Sequence, residues 1–199
     1  MIKLISISKE KPYKRLKESY QAALEKNQKN IEVIGISSFN KKLNEIDSRF
    51  VNLKYIVNKE LIFFTNYNSK KASDFNTHNQ VGVMLYWSKI DMQIRIKGII
   101  KKAESNFSDK HFKERNLSKN ALAIASEQSQ LIDSYDESIQ KHNNILKKNK
   151  KLTVRPDNWG GYSITPYYFE FWTGHEFRIN QRIHFKLINN QWEKTLLQP

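Results

Sequence analysis

The clearest hydrophobic pattern in the chain is an alternation over residues 49–56. Arg49, Val51, Leu53 and Tyr55 fall on one face of this segment, and the residues between them fall on the other. A period of two predicts a β-strand. A polar break then leads into a second predicted strand at residues 61–65, so the two segments are expected to form a hairpin.

Further short apolar segments predict additional strands. Residues 31–39 are rich in β-branched side chains, and residues 81–87 are apolar on both faces, which suits a buried strand. Residues 92–102 alternate, with Gly98 as an expected bulge or close backbone approach. Short, evenly spaced strands of this kind favour an antiparallel barrel.

The C-terminal part of the chain also predicts strands. Residues 162–172 are rich in aromatic side chains but contain Pro166, so part of this strand is expected to lie at an edge. Residues 176–188 and 191–197 form a predicted hairpin around an Asn-Asn turn.

Helical spacing appears in two regions. Pro12 and the apolar residues after it predict a helix that ends near residues 27–30, preceded by a flexible arm over residues 1–11. Ser108 and Ser118 are expected to cap two further helices. Residues 133–150 predict a longer amphipathic helix, and the charge run at 147–151 is interpreted as its solvated end.

Composition limits the classes of function. The chain has 199 residues, which predicts a single domain over 1–199, and it contains no cysteine. Its net charge is +14, but the lysines are spread along the chain and no nucleic-acid-binding module accompanies them, so we expect no nucleic-acid partner. No apolar run is long enough for a signal peptide or a membrane span, which predicts a cytoplasmic protein without a membrane partner.

The sequence motifs do not indicate catalysis by side chains alone. The five histidines lack the spacing of metal ligands, so no metal site is predicted. Nucleophile elbows, phosphate-binding loops and dinucleotide-binding glycine motifs do not occur in the sequence. Chemistry carried by a bound cofactor therefore fits better than catalysis by side chains alone.

One stretch of the chain is a candidate anion site. After the strand at 61–65, a turn leads to Ser69, which is placed to cap a helix that begins at Lys70 and Lys71. These lysines, Arg49 and the Thr65 hydroxyl could converge near the N-terminus of that helix, where anions bind. The alternative is a hairpin with a solvated basic turn.

This stretch and several later blocks resemble one family. R-x-V-x-L-K at 49–54 and F-F-T-N-x-x-S-K-K at 63–71 resemble the flavin-binding core of the pyridoxine/pyridoxamine 5'-phosphate oxidases. Three further blocks follow in the family's order: A-S-x-Q-S at 125–129, W-G-G-Y with F-E-F-W-x-G between 159 and 174, and R-I-N-Q-R at 178–182. The resemblance extends from about residue 49 to the last residue.

The resemblance implies a mainly β fold with helical additions, an antiparallel FMN-binding split β-barrel. It implies FMN as the cofactor and a homodimer with flavin sites at the subunit interface. The positions that it assigns to the cofactor are Arg49, Val51, Lys54, Phe64, Thr65, Lys70, Lys71, Gln93, Gln128, Ser129, Trp172 and Arg182.

The resemblance also implies a substrate site for a small phosphorylated B6 vitamer. The positions concerned are Lys54, His111, Arg115, Lys119, Arg178 and Asn180, of which Arg178 and Asn180 are the candidate catalytic residues. His111 stands where the family has tyrosine, Lys119 where it has serine, and Asn180 where it has histidine. His111 and Lys119 still offer donors to a phosphate, whereas Asn180 cannot carry a positive charge.

The expected activity is therefore FMN-dependent oxidation of pyridoxamine or pyridoxine 5'-phosphate to pyridoxal 5'-phosphate, with O2 as acceptor and H2O2 as product. The departures in the substrate pocket leave two alternatives open. One is a divergent split-barrel flavoprotein that acts on another anionic compound. The other is a binding protein without catalytic activity.

Overall fold

The computed structural model describes residues 1–148 and 151–199. In these ranges the chain forms a β-sheet with helices around it. The strands are β1 (Lys3–Ile5), β2 (Val33–Asn40), β3 (Glu45–Val57), β4 (Glu60–Asn66), β5 (Gln80–Trp87), β6 (Met92–Lys102), β7 (Trp159–Thr173), β8 (Gln181–Ile188) and β9 (Gln191–Leu197). The helices are α1 (Lys11–Glu25), α2 (Lys70–Thr77), α3 (Ser105–Glu114), α4 (Leu117–Ala125) and α5 (Tyr135–Lys148).

Six of the strands close into a barrel. The ring runs β3-β2-β5-β6-β7-β4 and returns to β3, and every neighbouring pair in it is antiparallel. Strands β8 and β9 extend the sheet from β7, and β1 adds to β3 in parallel. The predicted mainly β fold, an antiparallel barrel with helical additions, is confirmed.

Side-chain alternation fills the barrel interior. On β6, Ile94 and Ile96 are fully buried, whereas Arg95 between them and Lys97 after them point outward. Full burial of an aliphatic side chain contributes about 1.5–3 kcal/mol, so this alternation fixes which face of each strand lies inside. β5 was expected to be apolar and buried on both faces, but the outward Met84 and Tyr86 are about half exposed. They are exposed because no element in the described part of the chain covers this side of the barrel.

The junction between β6 and β7 is built around Gly98. The register of the two strands shifts there, as the glycine predicted. A Cβ atom on Gly98 would lie 2.5 Å from Ile164 Cγ2, so no larger residue fits without a shift of β7.

The expected edge position of Pro166 is wrong, because β7 lies inside the sheet, between β6 on one side and β4 followed by β8 on the other. The proline sits in the gap where β4 pairing has ended at Ile164 and β8 pairing has not yet begun at Tyr168. Its missing N–H group therefore interrupts no ladder on that side.

The N-terminal residues are integrated into the sheet, where the sequence pattern indicated a flexible arm. Lys3–Ile5 pairs with β3, and Ile2 is buried. The Ile2 backbone N–H donates to the hydroxyl of Tyr20 on α1 at 2.9 Å. The sequence pattern did not predict this strand, because three residues are too few to show a period of two.

All three of the expected serine caps differ from the caps observed. Ser108 lies inside α3 and is buried, and its hydroxyl accepts a hydrogen bond from the Gly161 N–H. Asn116, not Ser118, caps α4 by accepting from the backbone N–H groups of Ser118 and Lys119. Ser69 occupies the N-cap position of α2, but its hydroxyl donates to the carbonyl of Asn66 instead.

The remaining boundaries differ in detail. α5 ends at Lys148, and residues 149–150 of the predicted helix and charge run lie outside the described residues. The strand expected at 176–188 begins only at Gln181, because a turn precedes it in which the Arg178 N–H donates to the His175 carbonyl at 2.8 Å. No helix within 1–148 or 151–199 is long and apolar enough to cross a membrane.

Candidate functional site

A cavity of about 410 Å³ opens beside the barrel, between β3, β4 and the helices α2, α3 and α4. We call it the barrel pocket. Its volume lies in the range of small-molecule sites. The sequence-predicted site residues that line it are Val51, Lys54, Phe64, Thr65, Lys71, His111, Arg115, Lys119 and Gln128.

The barrel pocket is strongly basic. Lys54, Lys71, Arg115 and Lys119 line it, and its lining in the described part of the chain includes no aspartate or glutamate. Lys54 is drawn toward Glu32, at 3.7 Å, outside the pocket. Cations without facing carboxylates create a positive potential that concentrates anionic ligands.

At one end of the pocket, the positive potential comes from Lys71. Its side chain is buried, and its Nζ donates to Thr65 Oγ1 at 3.2 Å. Burial, and then the nearby charge of Arg49, lower the pKa of Lys71. The charges of Asp47 and Asp74 offset part of this effect, but Lys71 makes no ion pair with any carboxylate among the described residues, and a buried ammonium without a paired counter-charge is unfavourable. An anionic group bound at this end would supply that counter-charge.

Arg49 and Lys70, which were also predicted to contact the cofactor, do not line the pocket. The Arg49 guanidinium pairs with Asp47 at 2.6 Å and Asp74 at 3.3 Å, and it donates to Ser38 Oγ at 2.7 Å. Lys70 lies within 4.0 Å of Asp47. Sequence reasoning missed Asp74, which is 25 residues away from Arg49 with no spacing pattern to connect the two.

The loop after α4 lies against the start of α2. Gln128 Oε1 accepts from Thr65 Oγ1 at 3.3 Å and from the Asn66 N–H at 3.4 Å. Ser129, which has a positive φ of 74°, accepts from the Lys70 N–H at 3.4 Å. The structure therefore brings Gln128 and Ser129, which the resemblance assigns to the cofactor, into contact with Thr65 and the start of α2.

A stack of aromatic rings forms one wall of the pocket. The ring of Phe64 lies parallel to that of His111, with centroids 3.8 Å apart, and parallel to that of Trp159 at 5.3 Å. The hydroxyl of Tyr55 hydrogen-bonds His111 Nδ1 at 2.9 Å. Trp159 belongs to the W-G-G-Y block but was not among the predicted site residues.

His111 is held in the neutral state. Burial, followed by the charges of Arg115, Lys3 and Lys54, lowers the pKa of His111 to about 4. Its imidazole is therefore uncharged near pH 7 and offers one nitrogen beyond the one that contacts Tyr55. The cations of this end of the pocket are Lys54, Arg115 and Lys119.

Arg115 is fixed by its own neighbourhood. Its Nη1 donates to the Lys119 carbonyl at 2.7 Å and to Asn120 Oδ1 at 3.3 Å, and its guanidinium lies 5.0 Å from the centre of the Trp159 ring. Asn120 is fully buried and donates to the carbonyls of Phe112 and Leu152. Sequence reasoning missed Asn120, which belongs to the segment that departs most from the family pattern.

The other predicted residues lie elsewhere. Gln93, Trp172 and Arg182 are direct neighbours across β6, β7 and β8. They point outward, because the alternating Ile94 and Phe171 are fully buried on the inner face. We call these three residues the outer-face cluster. None of them lines the barrel pocket of the same chain.

Arg178 and Asn180 precede β8 in an exposed turn. Arg178 has a positive φ of 60°, and Asn180 Oδ1 accepts from the His175 N–H at 3.2 Å. Neither residue lines the barrel pocket. Each chain thus carries two separate groups of predicted site residues. Among the described residues, no cluster of three or more histidine, cysteine, aspartate or glutamate side chains could hold a metal ion.

Comparisons with known proteins agree with this geometry. Residues 42–143 match the family model described as pyridoxamine 5'-phosphate oxidase, and residues 159–199 match the model described as the pyridoxine 5'-phosphate oxidase C-terminal dimerisation region. The chain is 38% identical over 154 residues to the pyridoxine/pyridoxamine 5'-phosphate oxidase of Legionella pneumophila (strain Paris), which covers 77% of this chain and 72% of that protein. This chain belongs to the pyridoxine/pyridoxamine 5'-phosphate oxidase family. The predicted family and its oxidoreductase class are thus confirmed.

Other members of the pyridoxine/pyridoxamine 5'-phosphate oxidase family give similar results. The oxidase of Actinobacillus pleuropneumoniae serotype 5b (strain L20) is 35% identical over 152 residues, which are 76% of this chain and 73% of that protein.

Two solved structures share the fold of this chain. PhzG from Burkholderia lata 383, in complex with tetrahydrophenazine-1-carboxylic acid, matches with a TM-score of 0.90 and 25% identity over 95% of this chain and 93% of that one. A pyridoxamine 5'-phosphate oxidase-related, FMN binding protein from Nostoc punctiforme PCC 73102 matches with a TM-score of 0.73 and 12% identity, over 92% of this chain and 96% of that one. The second likeness supports the barrel fold alone.

Proposed function

We propose that this protein is a homodimeric, FMN-dependent oxidase that converts pyridoxamine or pyridoxine 5'-phosphate to pyridoxal 5'-phosphate with O2 as acceptor, releasing H2O2. The observation that carries the proposal is the barrel pocket, in which four cations face one cavity without a carboxylate among its described lining residues. Two phosphorylated ligands in one site would need cations at both of its ends.

The chemistry of the pocket fits FMN. Lys71 supplies a buried cation in need of an anionic partner, and Thr65 and Gln128 supply hydrogen-bonding groups beside it. FMN, when bound, supplies the electron acceptor that the side chains of this chain lack. We infer that Lys71, together with Thr65, Gln128 and Ser129, holds the phosphate end of the cofactor.

The second set of cations would bind the substrate phosphate. Arg115 is oriented by Lys119 and Asn120, and Lys54 and Lys119 add two more positive charges to the same cavity. A neutral His111 would offer a hydrogen bond from its remaining nitrogen, in the role that the family gives to a tyrosine hydroxyl. The ammonium of Lys119 replaces a neutral serine and strengthens the attraction for a dianion.

A second copy of the chain would complete the site. The outer-face cluster does not line the barrel pocket of its own chain, and Arg178 and Asn180 precede β8 on that part of the chain. We infer that a two-fold dimer brings the outer-face cluster and Arg178 of one copy to the barrel pocket of the other. Asn180 would then contribute a neutral donor beside the reacting substrate.

A different anionic substrate is the second candidate. Three observations favour it: the asparagine at 180, the lysine at 119 and the structural likeness to PhzG, a member of this fold family whose structure contains a carboxylic acid ligand. Under this alternative the same cations would bind a carboxylate instead of a phosphate.

A two-stage experiment tests the proposal. Purified protein is first titrated with FMN, and binding is followed by the quenching of flavin fluorescence. Loaded protein is then given pyridoxamine or pyridoxine 5'-phosphate, and pyridoxal 5'-phosphate and H2O2 are measured. We expect stoichiometric FMN and turnover that is slow in kcat, because of Asn180. Full FMN occupancy without turnover or binding of either vitamer at millimolar concentration would favour the second candidate, and failure to bind FMN would overturn both.

A further inference from the structure

Glu170 is a buried carboxylate on the outer face of β7. Its side chain is 1% exposed, although its neighbours on the same face, Tyr168 and Trp172, are only half-buried. Burial of an ionised carboxylate is unfavourable unless it is paired and hydrogen-bonded. The contacts of Glu170 are therefore informative about its role.

Both oxygens of Glu170 are engaged by charged or polar donors. Oε1 faces one guanidinium: it accepts a hydrogen bond from Arg182 Nε at 2.9 Å and forms an ion pair with Arg182 Nη2 at 2.8 Å. Oε2 accepts from Tyr168 Oη at 2.7 Å and from Arg95 Nη1 at 3.1 Å. Burial alone would raise the pKa of Glu170, but the bonds from Tyr168 and Arg182 outweigh it and the pKa is lowered.

These contacts fix the guanidinium of Arg182. Besides the hydrogen bond and the ion pair with Glu170, Arg182 Nη1 donates to the Gln198 carbonyl at 3.0 Å. Nη1 and Nη2 each carry a further N–H that these bonds do not use. The side chain is held beside Trp172, its direct partner across the strands. Arginine loses much rotamer freedom when it is ordered, so a residue that orders it before a ligand arrives lowers the cost of binding.

We propose that Glu170 is a positioning residue, which acts through Arg182 to set the outer-face cluster for the cofactor. The inference rests on the proposed function, in which the outer-face cluster contacts FMN. Glu170 itself would touch neither the cofactor nor the substrate. Its charge is required because a neutral amide in its place would bond the guanidinium more weakly than a carboxylate does.

Arg95 offers a matched control. It pairs with the other oxygen of the same carboxylate from the neighbouring strand β6, and it is not a member of the outer-face cluster. The substitution Arg95→Gln removes an ion pair of Glu170 and leaves the pair between Glu170 and Arg182 in place. Arg95→Gln therefore shows how far the loss of one ion pair of Glu170 affects stability and FMN affinity while Arg182 stays in position.

The experiment is a double-mutant cycle on FMN affinity. Apo-protein of the wild type, Glu170→Gln, Arg182→Gln and the double variant is titrated with FMN by fluorescence quenching, and urea unfolding is measured on the same samples. We expect Glu170→Gln to raise the Kd about ten-fold and Arg182→Gln to raise it about ten- to a hundred-fold. The double variant should bind as Arg182→Gln does, because Glu170 acts only through that arginine.

The outcomes are distinct. Three results would each overturn the positioning role while leaving the proposed function intact. They are an equal Kd for wild type and Glu170→Gln, additive losses of FMN affinity in the double variant, and a loss of FMN affinity in Arg95→Gln as large as that in Glu170→Gln. A wild-type protein that does not bind FMN would overturn the proposed function and the inference with it. If Glu170→Gln does not fold, Glu170→Asp retains the charge but withdraws it by one methylene group, and it should raise the Kd by a smaller factor.

Discussion

The imidazole of His111 lies flat against the phenyl ring of Phe64, with 3.8 Å between the ring centroids and 9° between the planes. The arrangement explains how a histidine occupies a position where the family has tyrosine. The ring is enclosed by Phe64 and by the Tyr55 hydroxyl at 2.9 Å, and Arg115 lies close enough to disfavour its protonation. Among the contacts described, no carboxylate pairs with His111 to stabilise a charged imidazolium.

The first prediction concerns the pH dependence of stability. The pKa of His111 is lowered from its ordinary value near 6.5 to about 4, so the unfolded chain takes up a proton that the folded chain does not. The free energy of unfolding should therefore fall as the pH drops from about 6.5 toward about 4, and this contribution should be complete below the lower value. Urea unfolding of wild type and His111→Tyr at pH 7 and pH 5 measures it.

The variant serves as its own reference for all other titrating groups. His111→Tyr should lose less free energy of unfolding between pH 7 and pH 5 than the wild type does, because tyrosine does not titrate in this range. An identical pH dependence in both proteins would show that His111 is not held neutral by the fold.

The second prediction concerns the buried Lys71. The substitution Lys71→Met should increase the free energy of unfolding of the apo-protein by about 1 kcal/mol, because it removes a desolvated charge and retains the apolar volume. The same substitution should weaken FMN binding about ten- to a hundred-fold. Urea unfolding and fluorescence titration give the two values.

Lys102→Met is the control for Lys71→Met. Lys102 is exposed, its ammonium lies 4.3 Å from the centre of the Tyr67 ring, and it does not line the barrel pocket. We expect this variant to bind FMN as the wild type does. A loss of apo-protein stability in Lys71→Met, with unchanged FMN affinity, would contradict a binding role for the lysine.

The third prediction separates two cations of the substrate end. Arg115→Ala should raise the KM for pyridoxamine 5'-phosphate about ten- to a hundred-fold, because it removes a charged contact whose geometry is fixed by the Lys119 carbonyl and Asn120. Lys119→Ala should raise KM less, since the exposed Lys119 side chain has to be ordered when the substrate binds. Steady-state kinetics on the FMN-loaded variants measures both, and an unchanged KM in Arg115→Ala would exclude it from the phosphate site.

The sequence predicted the barrel strands because their side-chain alternation follows directly from one buried and one exposed face. Residues 49–56 and 92–102 lie within β3 and β6, and Gly98 marks a real shift of register. Pro166 was misinterpreted because its position depends on where β4 ends and β8 begins, which no local pattern records. Asp74 and Glu170 were missed as partners of arginines for the same reason, since each pair is formed by tertiary contacts.

The site itself was predictable only through family motifs. The barrel pocket gathers side chains from positions 50 to 159, and no spacing rule connects Lys71 with Gln128 or Arg115 with Trp159. The motifs identified the residue types, whereas the separation into a barrel pocket and an outer-face cluster required the fold. That separation carries the last prediction.

Two inactive variants should restore each other if the site is shared between subunits. Lys71→Met damages the barrel pocket, and Arg182→Gln damages the outer-face cluster, which does not line that pocket in the same chain. In a two-fold dimer of one copy of each variant, the intact pocket of the second chain meets the intact outer face of the first, so one of the two sites is wild type. Random mixing makes about half of the dimers mixed, so about a quarter of all sites should bind FMN with wild-type affinity.

The variants are co-refolded in equal amounts, and tight FMN binding is counted by titration. The double variant Lys71→Met/Arg182→Gln, refolded alone, is the control and should show no tight sites. A mixture that binds no more tightly than the separate variants would show that each site is built within one chain, and the shared dimer site would have to be abandoned.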